Sequence, residues 1–374
     1  MNKYSVLFLI GTRPEAIKLA PVILAFKKSN LFSVKIVLSG QHDEMIRPVM
    51  DFFNLKEDAN FNIIKTTNTL EEITSKILKD LNIYIGKVKP NMVFVQGDTN
   101  TAFSGALSAF FNKVPIAHVE AGLRTNNIYS PFPEEANRRM ISQIATLHFP
   151  PTKTSYNNLL KSGINKNIYI SGNTVVDALS LVPNIKNKKI INGIDINTDK
   201  YILTTIHRRE NWGAPIENIA KGILNFLDKN KNVKLILPLH KNPLVRKPIR
   251  KILGHYENIF LVETIPYIDF ILILKNALII LTDSGGVQEE AVTLGKPLLI
   301  LRDCTERPEV FEGGNASLVG TDPDKIEKEL SSLIKDNKRY QIMSQKSKAF
   351  GDGDSSKVIF EKTLSFLEEN LNLL

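Results

Sequence analysis

Residues 6–18 read VLFLIGTRPEAIK. An unbroken apolar run stops at Gly11 and hands over almost at once to a helix start. A short strand that is apolar at every position is the mark of a parallel sheet buried on both faces. Pro14 suits the first helical position, where a missing N–H has no intrahelical partner to lose. Arg13 and Lys18 then stand at and just inside the turn, at the carboxyl end of the strand, where open α/β sheets take their ligands. The turn predicts an anion site, for a phosphate, and it lacks the G-x-G-x-x-G spacing of a nicotinamide site.

The same alternation continues outward from this stretch. Strands are expected at 6–10, 34–38, 92–96, 115–119 and 147–149, with helices at 14–28, 70–88, 102–112 and 134–146. A second series has strands at 201–205, 233–237, 259–262, 277–281 and 297–301, with helices near 215–228, 243–253, 267–274 and 286–294. Each series is the pattern of a parallel sheet covered by helices. Residues 181–200, LVPNIKNKKIINGIDINTDK, have the composition of a linker or its edge. With 374 residues the chain is long for one core. The fold class expected is α/β, two Rossmann-like domains facing each other across a cleft. The domains are 1–175 and 176–354, and residues 355–374 form a helix that packs back on the first.

Bulk properties narrow the function. Hydrophobic residues make up 43% and charged residues 23%, as in ordinary globular proteins. No apolar stretch approaches the ~18 residues of a membrane span, and the first residues read as a strand rather than a signal segment. A cytoplasmic enzyme is expected. The net charge of +9 comes from scattered lysines such as Lys27 and Lys28, Lys186, Lys188 and Lys189, or Lys229 and Lys231. That scatter predicts a solvated surface that steers an acidic small molecule, not a nucleic-acid partner. The single cysteine, Cys304, excludes an intrachain disulfide and a thiolate metal cluster, and it reads as a small residue packed in a loop. The six histidines show no H-E-x-x-H or H-x-H pairing, so no metal is expected, and His42 and His118 read as structural. A P-loop motif is absent as well.

Polar residues collect where strands end. Gly97 and Asp98 follow one strand; Glu120 and Arg124 follow the next; His207, Arg208, Arg209, Glu210 and Asn211 follow a third; His240 and Asn242 a fourth; Asp283, Ser284, Gly285 and Gly286 a fifth. In TDSGGVQEEA (282–291) a strand turns through Ser284, Gly285 and Gly286 into a helix whose unpaired N–H groups and dipole favour a diphosphate. Glu290 lies one turn further in, within reach of a ribose diol. In PFPEEANRR (131–139) two prolines precede a helix opening with Glu134 and Glu135. Acidic residues at that position commonly complement the dipole. With Asp98 and Glu120, however, Glu134 makes three carboxylates suited to moving a proton at a non-acidic carbon.

GTRPEAIK, QGDT, HVEAGLRT, PFPEEANRR, HRREN, LHKNP, TDSGGVQEEA, GKP and RDCTERPE occur in that order, from Gly11 to about Gly320. Together they closely resemble the non-hydrolysing UDP-N-acetylglucosamine 2-epimerases, whose two-domain fold is of the GT-B glycosyltransferase type. The resemblance implies reversible conversion of UDP-GlcNAc to UDP-ManNAc without a cofactor, through elimination of UDP and a bound 2-acetamidoglucal. It implies that Arg13, Lys18 and His207 stabilise the departing diphosphate. Ser284, Gly285, Gly286, Glu290 and Arg307 would hold UDP, Phe270 would pack on uracil, and Asp98, Glu120 and Glu134 would be the acid/base group. Bacterial members are often activated by UDP-GlcNAc in a second pocket. Gln41, Glu135, Arg209 and His240 match parts of it, although the chain reads QHDEM where some activated members carry a further glutamine. The resemblance also implies a homodimer and a supply of ManNAc for a surface polysaccharide. Rival readings are a GT-B glycosyltransferase, a hydrolysing epimerase, an epimerase of a related UDP-2-acetamido sugar, and a non-catalytic nucleotide-sugar sensor.

Overall fold

The computed structural model describes residues 3–41, 43–63, 69–125, 127–183 and 189–371. The reading of His42 lies outside these residues. The chain divides into two compact units, Met1–Leu181 with Phe350–Leu374, and Val182–Ala349.

The first unit runs β1 (Tyr4–Ile10), α1 (Arg13–Lys28), β2 (Phe32–Leu38), α2 (Asp43–Phe52), β3 (Ala59–Asn60), α3 (Leu70–Val88) and β4 (Met92–Gln96). It continues through α4 (Asn100–Phe111), β5 (Ile116–Val119), α5 (Glu134–Ile144), β6 (Leu147–Phe149), α6 (Lys153–Lys161) and α7 (Thr174–Ser180). Among the described residues six strands form one sheet in the order β3-β2-β1-β4-β5-β6, with each neighbouring pair parallel. The apolar run 6–10 of β1 divides its side chains between the two faces. Leu7 and Leu9 join the core beneath α3 and α4, with Ile77, Leu81, Ala102 and Ala106. Phe8 lies on the other face in an aromatic cluster, stacked on Phe94 and edge-on to Phe26 of α1.

Phe26 and Phe32 also meet Phe360, on the chain's last described helix. The expected boundary at 175 cuts through α7, which packs on α1 in the first unit; the units divide after Leu181.

The second unit runs β7 (Ile190–Ile191), β8 (Ile194–Asp195), β9 (Tyr201–Thr205), α8 (Ala214–Lys229), β10 (Lys234–Pro238), α9 (Pro243–Leu253) and β11 (Ile259–Val262). It continues through α10 (Tyr267–Asn276), β12 (Ile279–Thr282), α11 (Gly285–Thr293), β13 (Leu298–Ile300), β14 (Ala316–Leu318), α12 (Pro323–Lys335) and α13 (Asn337–Met343). Its main sheet, β11-β10-β9-β12-β13-β14, repeats the layout of the first. Helix α14 (Ser355–Leu371) then returns the chain to the first unit. There the buried Asp177 carboxylate of α7 accepts hydrogen bonds from the backbone N–H groups of Ser355 (3.2 Å) and Ser356 (2.9 Å) and from the Ser356 hydroxyl (2.6 Å).

Both sheets place β1 or β9 centrally and reverse their strand order beside it, so loops after neighbouring strands diverge and leave room for a ligand.

Candidate active site

In the first unit the turn after β1 is tightly seated. A Cβ on Gly11 would fall 2.0 Å from Thr101 Oγ1 of α4, so only glycine lets the two elements approach. The helix begins at Arg13, which puts Pro14 second rather than first, still within the turn whose N–H groups lack intrahelical partners. Glu15 ties this turn to the one after β4: its carboxylate accepts from the Gly11 N–H (2.9 Å) and the Thr99 hydroxyl (2.7 Å). Burial pushes the Glu15 carboxyl up to about 7, against those hydrogen bonds.

Lys18 and Glu120 are both buried, and Lys18 Nζ lies 2.6 Å from Glu120 Oε1. The side-chain amide of Gln96 donates to the other oxygen of Glu120. Glu120 holds a φ of 62°, a left-handed conformation that costs a non-glycine residue about 1 kcal/mol. Its surroundings hold it there, and such backbone strain gathers at functional sites. Beside it, Asp98 is half-buried at the end of β4, with Oδ2 2.5 Å from Arg138 Nη2. Glu134 is the first residue of α5 and half-buried. The sequence thus brought Lys18 and Glu120 into direct contact, while Asp98 is met by Arg138, which sequence reasoning passed over.

Glu135 is fully buried. Its oxygens lie 2.6 Å from Arg139 Nε and 3.2 Å from Arg138 Nη1, and it accepts from the Thr125 N–H at 2.9 Å. Gln41 accepts from the Thr101 hydroxyl at 3.0 Å. His118 Nε2 donates to Gly97 O, 2.7 Å away, and burial pushes its imidazole down to about 3; His148, opposite it on β6, is pushed to about 4 for the same reason. Both are neutral core histidines at pH 7. Among the described residues no group of three His, Cys, Asp or Glu side chains could hold a metal ion.

In the second unit Asp283, fully buried at the end of β12, organises the loop after β9. It accepts from the backbone N–H groups of His207 (3.0 Å) and Arg208 (2.9 Å) and from Asn211 Nδ2 (3.0 Å), and His207 Nδ1 lies 3.1 Å from its other oxygen. Burial acts to raise the Asp283 carboxyl, but His207 and these N–H donors together hold it below the ordinary range.

Ser284 caps α11 without a side-chain cap bond, followed by the buried Gly285 and the half-buried Gly286. A Cβ on Gly285 would fall 2.3 Å from Arg307 Nη1, so the guanidinium lies directly over the helix start, whereas the same position on Gly286 faces open space. Arg307 is oriented by Glu289 (Nε to Oε1 2.5 Å) and by Glu306 (Nη1 to Oε1 2.7 Å). Glu306 also pairs with Arg302 (2.6 Å) and Arg208 (3.1 Å), and these three arginines overcome burial to hold its carboxyl far below the usual range.

Glu290 is buried on α11. Phe270 is half-buried on α10. Arg209 is exposed, with its guanidinium 5.9 Å from the Trp212 ring; His240 is exposed and accepts from the Asn242 N–H at 3.2 Å. Cys304, expected to be packed, is exposed instead: Arg302, Glu306 and Arg307 take the inward side of this loop, and Cys304 lies with Asp303 on its outer side.

Residues 24–364 match the family model of UDP-N-acetylglucosamine 2-epimerase. The UDP-N-acetylglucosamine 2-epimerase of Bacillus subtilis is 44% identical over 366 residues, covering 97% of this chain and 96% of that protein. The crystal structure of UDP-GlcNAc 2-epimerase from Neisseria meningitidis bound to UDP-GlcNAc superposes with a TM-score of 0.89 at 42% identity, over 96% of this chain and 100% of that one. The glycotransferase of kitacinnamycin, at 9% identity and a TM-score of 0.65 over 98% of this chain and 99% of that one, shows the shared GT-B type fold alone. With a family model covering most of its length and relatives above 40% identity end to end, the chain belongs to the UDP-N-acetylglucosamine 2-epimerase family.

Proposed function

We propose that the protein interconverts UDP-GlcNAc and UDP-ManNAc by eliminating UDP and adding it back to a bound 2-acetamidoglucal. The observation that carries this reading is the pair of carboxylates at the ends of neighbouring strands, each met by a buried cation: Glu120 by Lys18 and Asp98 by Arg138. The C2 proton of the sugar has no adjacent carbonyl to acidify it. Cleavage of the C1–O bond gives oxocarbenium character at C1, which does acidify C2–H. Arg13, Lys18 and His207 stabilise the charge on the departing diphosphate, the electrostatic contribution that is commonly largest. One carboxylate of Asp98, Glu120 and Glu134 then removes the C2 proton, giving the glycal. Protonation at C2 from the opposite face, with return of UDP to C1, gives the epimer. UDP stays on the second unit throughout, its diphosphate at the N–H groups of α11 with Ser284, Gly285, Gly286 and Arg307, its ribose at Glu290 and its uracil against Phe270. The reading places the enzyme in the cytoplasm, supplying ManNAc units for a surface polysaccharide.

Incubation with UDP-GlcNAc in D2O, followed by NMR, tests this. UDP-ManNAc should appear and deuterium should enter C2 with no acceptor present. Free ManNAc would mark a hydrolysing epimerase, UDP release only with an added acceptor would mark a glycosyltransferase, and neither product from folded protein would refute the reading.

The same reading makes the protein a homodimer. Phe110 and Phe111 at the end of α4 and Ile83 on the adjoining α3 are each more than half exposed, and a second copy would cover them. Sedimentation equilibrium should give a mass near twice the 42.0 kDa chain, and replacing Phe110 and Phe111 by serine should return the monomer.

A further inference from the structure

We propose that Arg138 is a positioning residue for catalysis, which fixes the Asp98 carboxylate in place and is itself held by Glu135. The inference rests on the acid/base role proposed for Asp98. Arg138 is nearly buried, with its side chain 6% exposed, and its two terminal nitrogens lie near different carboxylates: Nη2 is 2.5 Å from Asp98 Oδ2 and Nη1 is 3.2 Å from Glu135 Oε2. A neighbouring residue on the same helix grips the same loop, since Asn137 Nδ2 donates to the Asp98 carbonyl at 2.9 Å and to Asn100 Oδ1 at 3.1 Å. The loop carrying Asp98 is therefore held at backbone and side chain by one turn of α5.

Glu135 has a reason to be buried in this arrangement. It anchors Arg138 from the far side and is anchored in turn by Arg139 and the Thr125 N–H. The ionisable groups around Arg138 are Asp98 from the β4–α4 turn, Glu135 and Arg139 from α5, and Arg124 and His118 from β5 and its following segment. A lone surface ion pair would hold a side chain only loosely, but a nearly buried one is poorly screened, and it keeps the Asp98 oxygens at a fixed point.

The test compares wild type, Arg138→Gln, Arg138→Lys and Glu135→Gln by kcat and KM for UDP-GlcNAc and by deuterium entry at C2, with melting temperature and circular dichroism as controls. In Arg138→Gln, kcat and deuterium entry should fall about 100-fold with KM within threefold of wild type. Arg138→Lys should recover about tenfold of that loss. Glu135→Gln, which leaves Arg138 without its anchor, should lower kcat about tenfold at unchanged KM, and it decides the matter if Arg138→Gln does not fold. KM rising in step with the fall in kcat, no recovery in Arg138→Lys, or activity lost only in step with melting temperature, would mean that Arg138 is a structural ion pair and overturn the inference. Wild-type protein that neither epimerises UDP-GlcNAc nor exchanges its C2 proton would instead remove the reading on which the inference stands.

Discussion

Replacing Glu120 by glutamine is expected to lower kcat about a thousandfold while UDP affinity stays within a few-fold of wild type. Proton transfer by a positioned side chain contributes roughly 10²–10⁴-fold, and an amide neither accepts nor returns a proton at this position. Isosteric replacement keeps an oxygen for Lys18 or for Gln96 to reach, so the left-handed turn at residue 120 can persist. It also leaves the Lys18 ammonium buried without a counter-charge, and breaking a buried pair costs about 3–5 kcal/mol. A melting curve must therefore accompany the kinetics. Asp98→Asn and Glu134→Gln should likewise cut turnover and spare UDP binding, because the turn before α11 that is proposed to hold the diphosphate belongs to the other unit. Calorimetric titration with UDP checks this: loss of UDP affinity in all three variants would make the carboxylates structural supports instead of acid/base groups.

Acidification should expose a second large effect, carried by His118 and His148. A histidine whose imidazole is pushed down by burial stabilises the fold fully above the ordinary value of 6.5, and that stability is lost as pH falls toward the folded value. With folded values of about 3 and about 4, the two should together cost about 4 kcal/mol between pH 7 and pH 5. Glu15 acts with the opposite sign. Its carboxyl is raised to about 7, so the folded state holds a proton that the unfolded chain releases, and this residue adds about 2 kcal/mol over the same interval on acidification. Wild type should therefore lose about 2 kcal/mol, Glu15→Gln about 4, and His118→Gln close to nothing. Hydrogen exchange of the β4 and β5 amides at pH 7, 6 and 5 reads these differences within the first unit. An equal pH slope in all three proteins would refute the assignment.

Much of this architecture was legible because parallel strands buried on both faces announce themselves as short apolar runs. Residues 92–96 and 259–262 are strands with the bounds their composition predicted. The misses follow from length and from competing signals. β3 and β14 are edge strands of two and three residues, too short for periodicity to register. α2 carries Pro48 in its interior, which argues locally against a helix. α12 did carry a readable signature: Asp322 caps it, and Ile326, Leu330 and Leu333 repeat at helical spacing on its buried face.

The site was legible to the extent that its residues sit at strand ends. Lys18 and Glu120, 102 positions apart, were each found by that rule, but their 2.6 Å contact is a tertiary fact. Arg138 and Glu306 escaped because each ion network is completed by a partner remote in sequence, Asp98 for Arg138 and Arg208 for Glu306, although Glu135, Arg302 and Arg307 lie close by in the chain. Glu135 shows the converse: a motif supplied a ligand-binding expectation, and its burial against two arginines gives it structural work as well.

The return of α14 to the first unit has a consequence for how the chain is made. Phe360 completes the aromatic cluster around Phe26 and Phe32, and the serines at the start of α14 satisfy Asp177, so the first unit is assembled from sequence segments separated by the whole of the second. During synthesis, residues 182–349 emerge as an uninterrupted stretch and can fold as they appear. The unit that emerges first must wait, with a greasy groove on α1 still open, until its final helix arrives. Such late closure leaves that groove exposed to misassociation until α14 has been made, and it ties the first unit to a helix that lies beyond the whole of the second.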